Sequence, residues 1–502
     1  MFFVSDMIRI THPHTQKGNH VMKKIITLLL AVSMLLTLTL SMTSCSTAAR
    51  LSRMEESERA YYFYAVIDRN MGYAYSGSYD QKMTLDTTIS GVAYKQTTEA
   101  TVTFESSYKG LTLLETSKTT VDTVGGGTVI YTDTGYVDGM MFSHTKEGGN
   151  ETKLKSPVAL EDYSAYNQYR NEKAPEIDVS TDSAKTVTCT MNEDKTWTAT
   201  YEGFTAQGLV PFLHMLRGID YYLTAEHEIT DVRMTIHADA DLYPTDMKIE
   251  FIFSAKPDAT SKTPVVTLEN TYRGWNSTTP EAYDISDFTE VDDLRAVDVF
   301  LDAILEKEYE KSGNVDMTVT STTHGGGYNG TDTSKQYLTF NHTDGFTFDL
   351  SYEAEGYEYK MGYADGNFRV RVYDAKTDRL VDNTSEPMTE ADARATVSQL
   401  MDPEGFTYRS FSGVEIVDAE AGICRFALSD AVKSVYKSEY ETMGLSLKEF
   451  SGYCEATLKD GVLTDYRIHV EMNLRMPGES IQIIVDMAFA FTTAANSGAE
   501  TV

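Results

Sequence analysis

GYVDG occupies residues 135–139 and GYADG residues 362–366, one five-residue phrase written twice, 227 positions apart. In the second occurrence the runs EGYEYKMGYA and NFRVRVY alternate polar and apolar residues on either side of Asp365-Gly366. Asp-Gly between two alternating runs is the strongest short-range signal for a β-hairpin, because glycine takes the positive φ of the turn without a Cβ clash. Asp138-Gly139 holds the same place in the first occurrence. The phrase therefore predicts two hairpin tips, kept for backbone geometry rather than for chemistry.

Other pairs recur in the same order. SERAYYFY (57–64) is echoed by DLRAVDVF (293–300), Ser76-Gly77 by Ser312-Gly313, MTLDTT from Met83 by MTVTST from Met317, and Thr103-Phe104 by Thr339-Phe340. Further along, Cys189 corresponds to Cys424, Gly218 to Gly452, and ITDVRM (229–234) to LTDYRI (463–468), at offsets of 234 to 236. Agreement in order at a nearly constant offset is the signature of a tandem duplication. Its units run over residues 51–286 and 287–493, with residues 494–502 as a tail.

Each unit opens with a helix. Leu294, Val297, Leu301, Ile304 and Leu305 fall at helical spacing, and the stretch from about Leu51 to Met71 is the counterpart. Helical pieces are also expected over Val158–Tyr169 and Glu390–Met401, and over Ala206–Arg217 and Asp430–Thr442. Thr389 and Asp392 form a capping box for one of these. The closing strands alternate most clearly. In DYRIHVEMNLRM, Tyr466, Ile468, Val470, Met472, Leu474 and Met476 share one side. Ile481, Ile483, Val485, Met487, Phe489 and Phe491 do so in the strand behind it. In the first unit Val232, Met234 and Ile236, then Met247, Ile249, Phe251 and Phe253, repeat the pattern. A sheet with one wet side must cover the other, and the helices are the available cover. The expected fold class is α+β and β-rich: two tandem repeats, each a curved antiparallel sheet (an unclosed barrel) with helices packed on its concave face. The 32 tyrosines and the Thr-rich stretches favour strands as well.

The hairpin phrases, ITDVRM/LTDYRI and the alternating runs behind them resemble the LolA/LppX-like superfamily of bacterial lipoprotein carriers. That resemblance implies an unclosed barrel plugged by helices, holding acyl chains or another hydrophobic ligand between sheet and plug. Ligand-lining candidates are then Met234, Ile236, Ile249, Phe251, Val470, Met472, Leu474, Ile483, Val485 and Met487.

The N-terminus supplies an address. Lys23-Lys24 precede the uncharged run IITLLLAVSMLLTLTL and then SMTSCS, which reads as a secretory signal. Met42-Thr43-Ser44-Cys45 resembles the lipobox of bacterial lipoproteins, with Met where Leu is usual. The resemblance implies cleavage before Cys45, whose sulfur would carry diacylglycerol. Residues 1–44 are then leader and signal peptide, Met22 opening the signal proper, and residues 45–50 are a tether. The competing reading is a retained anchor over Ile25 to Met42, almost long enough to span a bilayer. Either places the rest outside the cytoplasm, attached to the cell membrane. Losing residues 1–44 removes four basic residues and one acidic, and takes the charge from −32 to −35. With 75 acidic against 43 basic residues and no basic cluster, nucleic acid is excluded as a partner.

No reaction is written in the chain. GGGYNG (325–330) fits G-x-G-x-x-G, but a strand follows where the dinucleotide fingerprint needs a helix. GGGT (125–128) and EGGN (147–150) read as β-loops. His12 and His14 lie in the leader; His227 and His237 read as surface or hydrogen-bonded side chains. HExxH and zinc-spaced cysteine pairs are absent. Asp239 and Asp241 of HADADL lack the further ligands of a calcium loop. No G-x-S-x-G elbow exists. Cys189, Cys424 and Cys454 read as buried thiols, with a Cys424–Cys454 disulfide as the alternative. The expectation is a non-enzymatic protein without cofactor or metal. Its function is a lipid-anchored binding or carrier protein for a lipid or other hydrophobic ligand. The rival is a structural or interaction lipoprotein with fully packed domains, contacting wall polymer or a partner protein through GIDYYLTAEHE, DTVGGGT and THGGGYNG.

Overall fold

The computed structural model describes residues 47–492, apart from 90, 108–109, 124–125, 174, 218, 258, 344, 460 and 477. Cys45 and the signal segment lie outside the described residues.

The first half opens with α1 (Glu56–Tyr73) and a meander of six strands: β1 (Ser76–Ile89), β2 (Val92–Ser107), β3 (Gly110–Thr123), β4 (Gly126–Val137), β5 (Met140–Glu147) and β6 (Asn150–Pro157). Then come α2 (Leu160–Lys173), β7 (Ala184–Met191), β8 (Trp197–Phe204), α3 (Ala206–His214) and α4 (Asp220–Thr224). Strands β9 (His227–Ala238), β10 (Pro244–Ala255) and β11 (Val265–Arg273) close it, and β12 (Thr289–Glu290) follows.

The second half repeats the order. Helix α5 (Arg295–Glu308) precedes β13 (Ser312–Gly325), β14 (Tyr328–Asn341), β15 (Thr347–Ala354), β16 (Tyr357–Ala364), β17 (Asn367–Asp374) and β18 (Arg379–Pro387). Helix α6 (Glu390–Met401), β19 (Phe411–Asp418), β20 (Ile423–Leu428), α7 (Asp430–Thr442), β21 (Ser446–Lys459), β22 (Val462–Met476) and β23 (Glu479–Thr492) complete it.

Two large open sheets result. Their orders are β12-β6-β5-β4-β3-β2-β1-β11-β10-β9-β8-β7 and β18-β17-β16-β15-β14-β13-β23-β22-β21-β20-β19. Apart from β12 the two are identical, and each joins its first strand antiparallel to its last. Neither closes into a barrel.

The repeated phrase is a hairpin tip in both halves. Asp138 and Gly139 have φ of 51° and 80°, Asp365 and Gly366 of 52° and 75°. Positive φ at both central residues is the type I′ geometry, whose twist matches that of the flanking strands. The phrase's first glycine has a different task. A Cβ on Gly135 would stand 2.2 Å from the Leu113 carbonyl oxygen, and one on Gly362 would stand 2.9 Å from that of Phe348. The tyrosine between is buried in both copies. Both meanders end in proline, at Pro157 and Pro387, and the next residue donates its N–H to the turn glycine: Val158 to Gly139 at 2.9 Å, Met388 to Gly366 at 3.1 Å.

These hydrogen bonds set the true correspondence, and the constant offset fails beyond them. Strand β7 corresponds to β19 and β8 to β20, so Cys189 in β7 and Cys424 in β20 are not equivalents. Likewise ITDVRM lies in β9, the counterpart of β21, whereas LTDYRI lies in β22. Shorter loops in the second half shift the register by one strand while the sequence echo survives. Gly452 sits within β21 and Gly218 lies outside the described residues.

Alternation in the closing strands is borne out by burial. Tyr466, Ile468, Val470, Met472 and Leu474 are buried, as are Val232, Met234, Ile236, Met247, Ile249 and Phe251. Helix α1 covers β7 and β8, while α5 and α7 cover β21 and β22. Phe300 of α5 stacks on Phe426 at 5.0 Å, within a cage completed by Phe406, Phe411 and Tyr466. Each such side chain contributes about 1.5–3 kcal/mol by leaving water. Helices α6 and α7 begin and end where the sequence places them, whereas α1 starts at Glu56 and α2 extends to Lys173. Thr389 caps α6 by accepting from the Asp392 N–H at 3.1 Å; its hydroxyl donates to the Asp392 carboxylate, which does not return to the Thr389 N–H as a capping box requires.

The halves share a core. Leu111, Tyr136, Met141, Leu154, Val158 and Tyr163 of the first meander belong to the second half's hydrophobic cluster. Strand β6 lies against β19 and α7, and β5 against the 3₁₀ turn Tyr408–Ser410. The linker runs over the other side of these strands: Tyr283 stacks on Phe142 at 4.7 Å and donates to Asp133 at 2.7 Å, and β12 pairs parallel to β6.

Replacing Gly135 by alanine is expected to cost about 2 kcal/mol or more in urea denaturation, because the new methyl group meets a strand carbonyl. Gly149→Ala, with nothing within 4 Å of the added carbon, serves as the near-neutral comparison.

Candidate functional site

Met234, Ile236, Ile249 and Phe251 lie together in the first core, and Val470, Met472 and Leu474 in the second. Cross-strand register pairs Met234 with Ile249, Val470 with Val485 and Met472 with Ile483. All but Phe251 among the first seven are at most 2% exposed, while Ile483, Val485 and Met487 are half-buried against the same cluster. Side chains of α1 and α5 occupy the space opposite them.

The wide openings lie on the other side of the sheets. A groove of about 740 Å³ crosses β11, β1, β2, β3 and β4. Strand register builds its floor in transverse rows. One row runs Glu269, Lys82, Glu99, Lys118, Tyr131, each residue directly opposite the next. The neighbouring row runs Thr271, Asp80, Thr101, Thr116, Asp133. Alternating charge across adjacent strands is favourable where like charges would repel. Lys82 reaches Glu99 at 3.0 Å, Thr101 donates to Asp80 at 2.8 Å, and Arg273 also pairs with Asp80. The ladder continues outward through Lys248, 3.6 Å from Glu269. A hydrogen bond to Glu250 raises the Lys248 ammonium above its usual range. Tyr131, 48% exposed, is the last member of the first row to line the groove, and the register continues past it through Lys146 and Glu151.

A smaller groove of about 400 Å³ crosses β13, β23, β22, β21 and β20. Its row is Arg425, Glu455, Arg467, Ala488, Thr318. Beside it Asp486 accepts from His469 at 2.9 Å and pairs with Arg467. Burial acts against this carboxylate, yet the hydrogen bonds from His469 and Arg467 hold it below the usual range. These rows were invisible in the sequence because their members lie 12 or more residues apart and only strand register unites them.

The remaining sequence candidates take structural places. GGGYNG tips the β13–β14 hairpin, with Gly326 and Gly327 at φ of 63° and 80°. EGGN tips the β5–β6 hairpin. Asp239 lies in the turn after β9, not on a strand face, and accepts from the N–H groups of Asp241 and Tyr243, both at 2.9 Å. His237 stands 3.4 Å from Asp246 on the wet side. His227 is buried rather than at the surface, and its Nε2 has no hydrogen-bond partner. Cys189, Cys424 and Cys454 are buried free thiols, and Cys454 lies opposite Phe426, not Cys424. Among the described residues no group of three His, Cys, Asp or Glu side chains is placed to hold a metal ion, and no helix is long and apolar enough to cross a membrane.

No protein-family model and no curated protein matches the chain. Among solved structures it is similar to a DUF1329 family protein from Desulfovibrio piger, at 13% identity over 40% of this chain and 93% of that one, with a TM-score of 0.19. It is similar to the vaccine antigen transferrin binding protein B of Haemophilus parasuis at 6% identity over 84% and 76%, with a TM-score of 0.14. A putative AttH from Nitrosomonas europaea is 6% identical over 82% and 92%, with a TM-score of 0.10. At TM-scores this low none of them assigns a family or a function.

One acidic cluster is sensitive to pH. Asp402 ends α6 and accepts from the Phe406 N–H at 2.8 Å, while its other oxygen is buried without a partner. Glu308 accepts from Ser398 at 2.7 Å, and Glu404 from Tyr436 at 2.6 Å. Burial, with Glu308 and Glu404 nearby, pushes the Asp402 carboxyl up to about 7. Its folded form therefore holds a proton that the unfolded chain releases near pH 4. The stability it contributes is complete below that pH and is lost as pH rises to about 7. Relative to Asp402→Asn, the native protein is expected to lose on the order of 3 kcal/mol between pH 4 and 7, read from urea midpoints.

Proposed function

We propose that this protein is a non-enzymatic binding protein displayed outside the cytoplasm, held to the cell membrane through lipidated Cys45, which takes a neutral, hydroxyl-rich polymer such as a wall glycan in the groove over β11 and β1–β4. The observation that carries this reading is the transverse ladder flanked by exposed Tyr131 at the groove's edge. The ladder offers alternating donors and acceptors on a rigid floor, and the aromatic ring supplies an apolar platform beside them. The groove's own charge is nearly balanced, three cations against four carboxylates, in a chain of −32. Such a lining favours a neutral ligand over a polyanion, which the molecule as a whole repels.

Each half, an open sheet with helices against its apolar side, also supports the opened-barrel architecture of the lipoprotein-carrier type. A ligand held between sheet and helices would have to displace Met234, Ile249, Val470 and Met472, which the cores enclose almost completely. The outer groove needs no such displacement, and for that reason it is preferred over a lipid cargo.

Calorimetric titration of the full chain with soluble wall-glycan fragments tests the proposal. Binding is expected, and Tyr131→Ala is expected to weaken it about fivefold or more, the loss of roughly 1 kcal/mol that marks an anchoring aromatic. Absence of glycan binding together with co-purifying lipid would reverse the preference.

A further inference from the structure

The joint between the halves is used once, and its two sides recur at the free ends of the molecule. On the donor side β5 and β6 meet the second half, and β17 and β18 are their counterparts. On the acceptor side stand the 3₁₀ turn, β19 and α7; the segment before β7, β7 itself and α3 are theirs. Helix starts fix the alignment. The Thr205 N–H donates to Ser183 at 2.7 Å before α3, and the Ser429 N–H donates to Ser410 at 2.9 Å before α7.

At the internal joint small polar residues fill the contact. Ser143 and Thr145 of β5 are 4% and 5% exposed, and Ser434 of α7 donates to Asn150 of β6 at 3.3 Å. Counted from the turn glycines, the equivalents of Ser143 and Thr145 are Val370 and Val372, which are only partly buried. Counted from the helix caps, the equivalent of Ser434 is Val210, 39% exposed and followed on the same surface by Leu213. The strand end matching Asn150 carries Leu380 and Val381, 47% and 49% exposed, where a bulge adds a residue to β18. On the strand side, apolar Val370 and Val372 thus stand where covered Ser143 and Thr145 stand inside the molecule; on the helix side, apolar Val210 replaces Ser434, which is itself exposed and reaches Asn150. The charges differ: Glu147 pairs with Arg409 internally, whereas their counterparts at the free ends, Asp374 and Asp182, are both acidic, with Arg379 opposite Asp374 in the β17–β18 register.

We propose that the chain associates head to tail, the β17–β18 end of one copy seated against the β7–α3 end of a second copy, repeating between molecules the joint that each makes within itself. Such a contact is heterologous, so each copy keeps one free end of each kind and growth continues into rings or filaments. The exposed apolar residues on both surfaces supply the attraction. The chain's negative charge opposes it, and salt reduces that opposition because the Debye length is about 8 Å at physiological ionic strength.

Sedimentation velocity of the full chain in density-matched detergent, at physiological salt, tests this. The mean mass is expected to climb with concentration past the dimer. Val372→Lys removes one end and Val210→Glu the other, so each variant alone is expected to stay monomeric. An equimolar mixture of the two is expected to stop at a one-to-one dimer, since one intact end of each kind remains. Leu380→Lys and Leu213→Glu repeat the design if either first variant fails to melt like the native protein. A native chain that stays monomeric throughout, association that the variants leave unchanged, or a mixture that forms no dimer would each overturn the proposal.

Discussion

Strand register is the constraint on which this molecule depends. Successive residues of a strand face opposite sides of the sheet, so one pairing decides at a stroke what is buried and what is wet. Slipping β22 against β23 by a single residue would bring Arg467, His469 and Glu471 under the helices and turn Ile468, Val470 and Met472 to water. The type I′ tips at Asp138-Gly139 and Asp365-Gly366 hold that register locally. The pairings of β1 with β11 and of β13 with β23 hold it across nearly the whole of each half. Loops this long close slowly, so each sheet's two wings meet late in folding.

The same register that makes the cores makes the outer grooves. Lys82 and Glu99 face one another because Leu85 and Val102 must face inward, and the charge ladder is the reverse side of the core pattern. A solvent-facing row of this kind adds little to stability pair by pair. It does present donors and acceptors at the fixed spacing of neighbouring strands, about 4.8 Å.

What could be read from the sequence was whatever is local. The hairpin tips, α6 and α7 and the buried sides of β9, β10 and β22 follow from turn chemistry and periodicity within a dozen residues. The duplication was legible in its first part, where β1, β2 and the opening helices keep a constant offset. It was misread after β6, because loop lengths change between the copies while short echoes such as ITDVRM and LTDYRI persist on neighbouring strands. The groove was not legible at all, since Lys82, Lys118 and Glu269 become neighbours only through pairing. His227 escaped for a related reason: its burial is set by the elements around it, which spacing along the chain does not reveal.

The shared core has a consequence for how such a chain comes to be made. Synthesis delivers residues 76–157 long before residues 295–474, so the inner side of β4, β5 and β6, with Tyr136, Met141 and Leu154, waits for its second-half neighbours while the remainder emerges. The strap formed by residues 274–294 arrives next and lays Tyr283 and Phe288 over Phe142, on the opposite side of β5 from Met141. The inner side stays open until α5 and its sheet arrive, so the second unit completes the first unit's core along with its own.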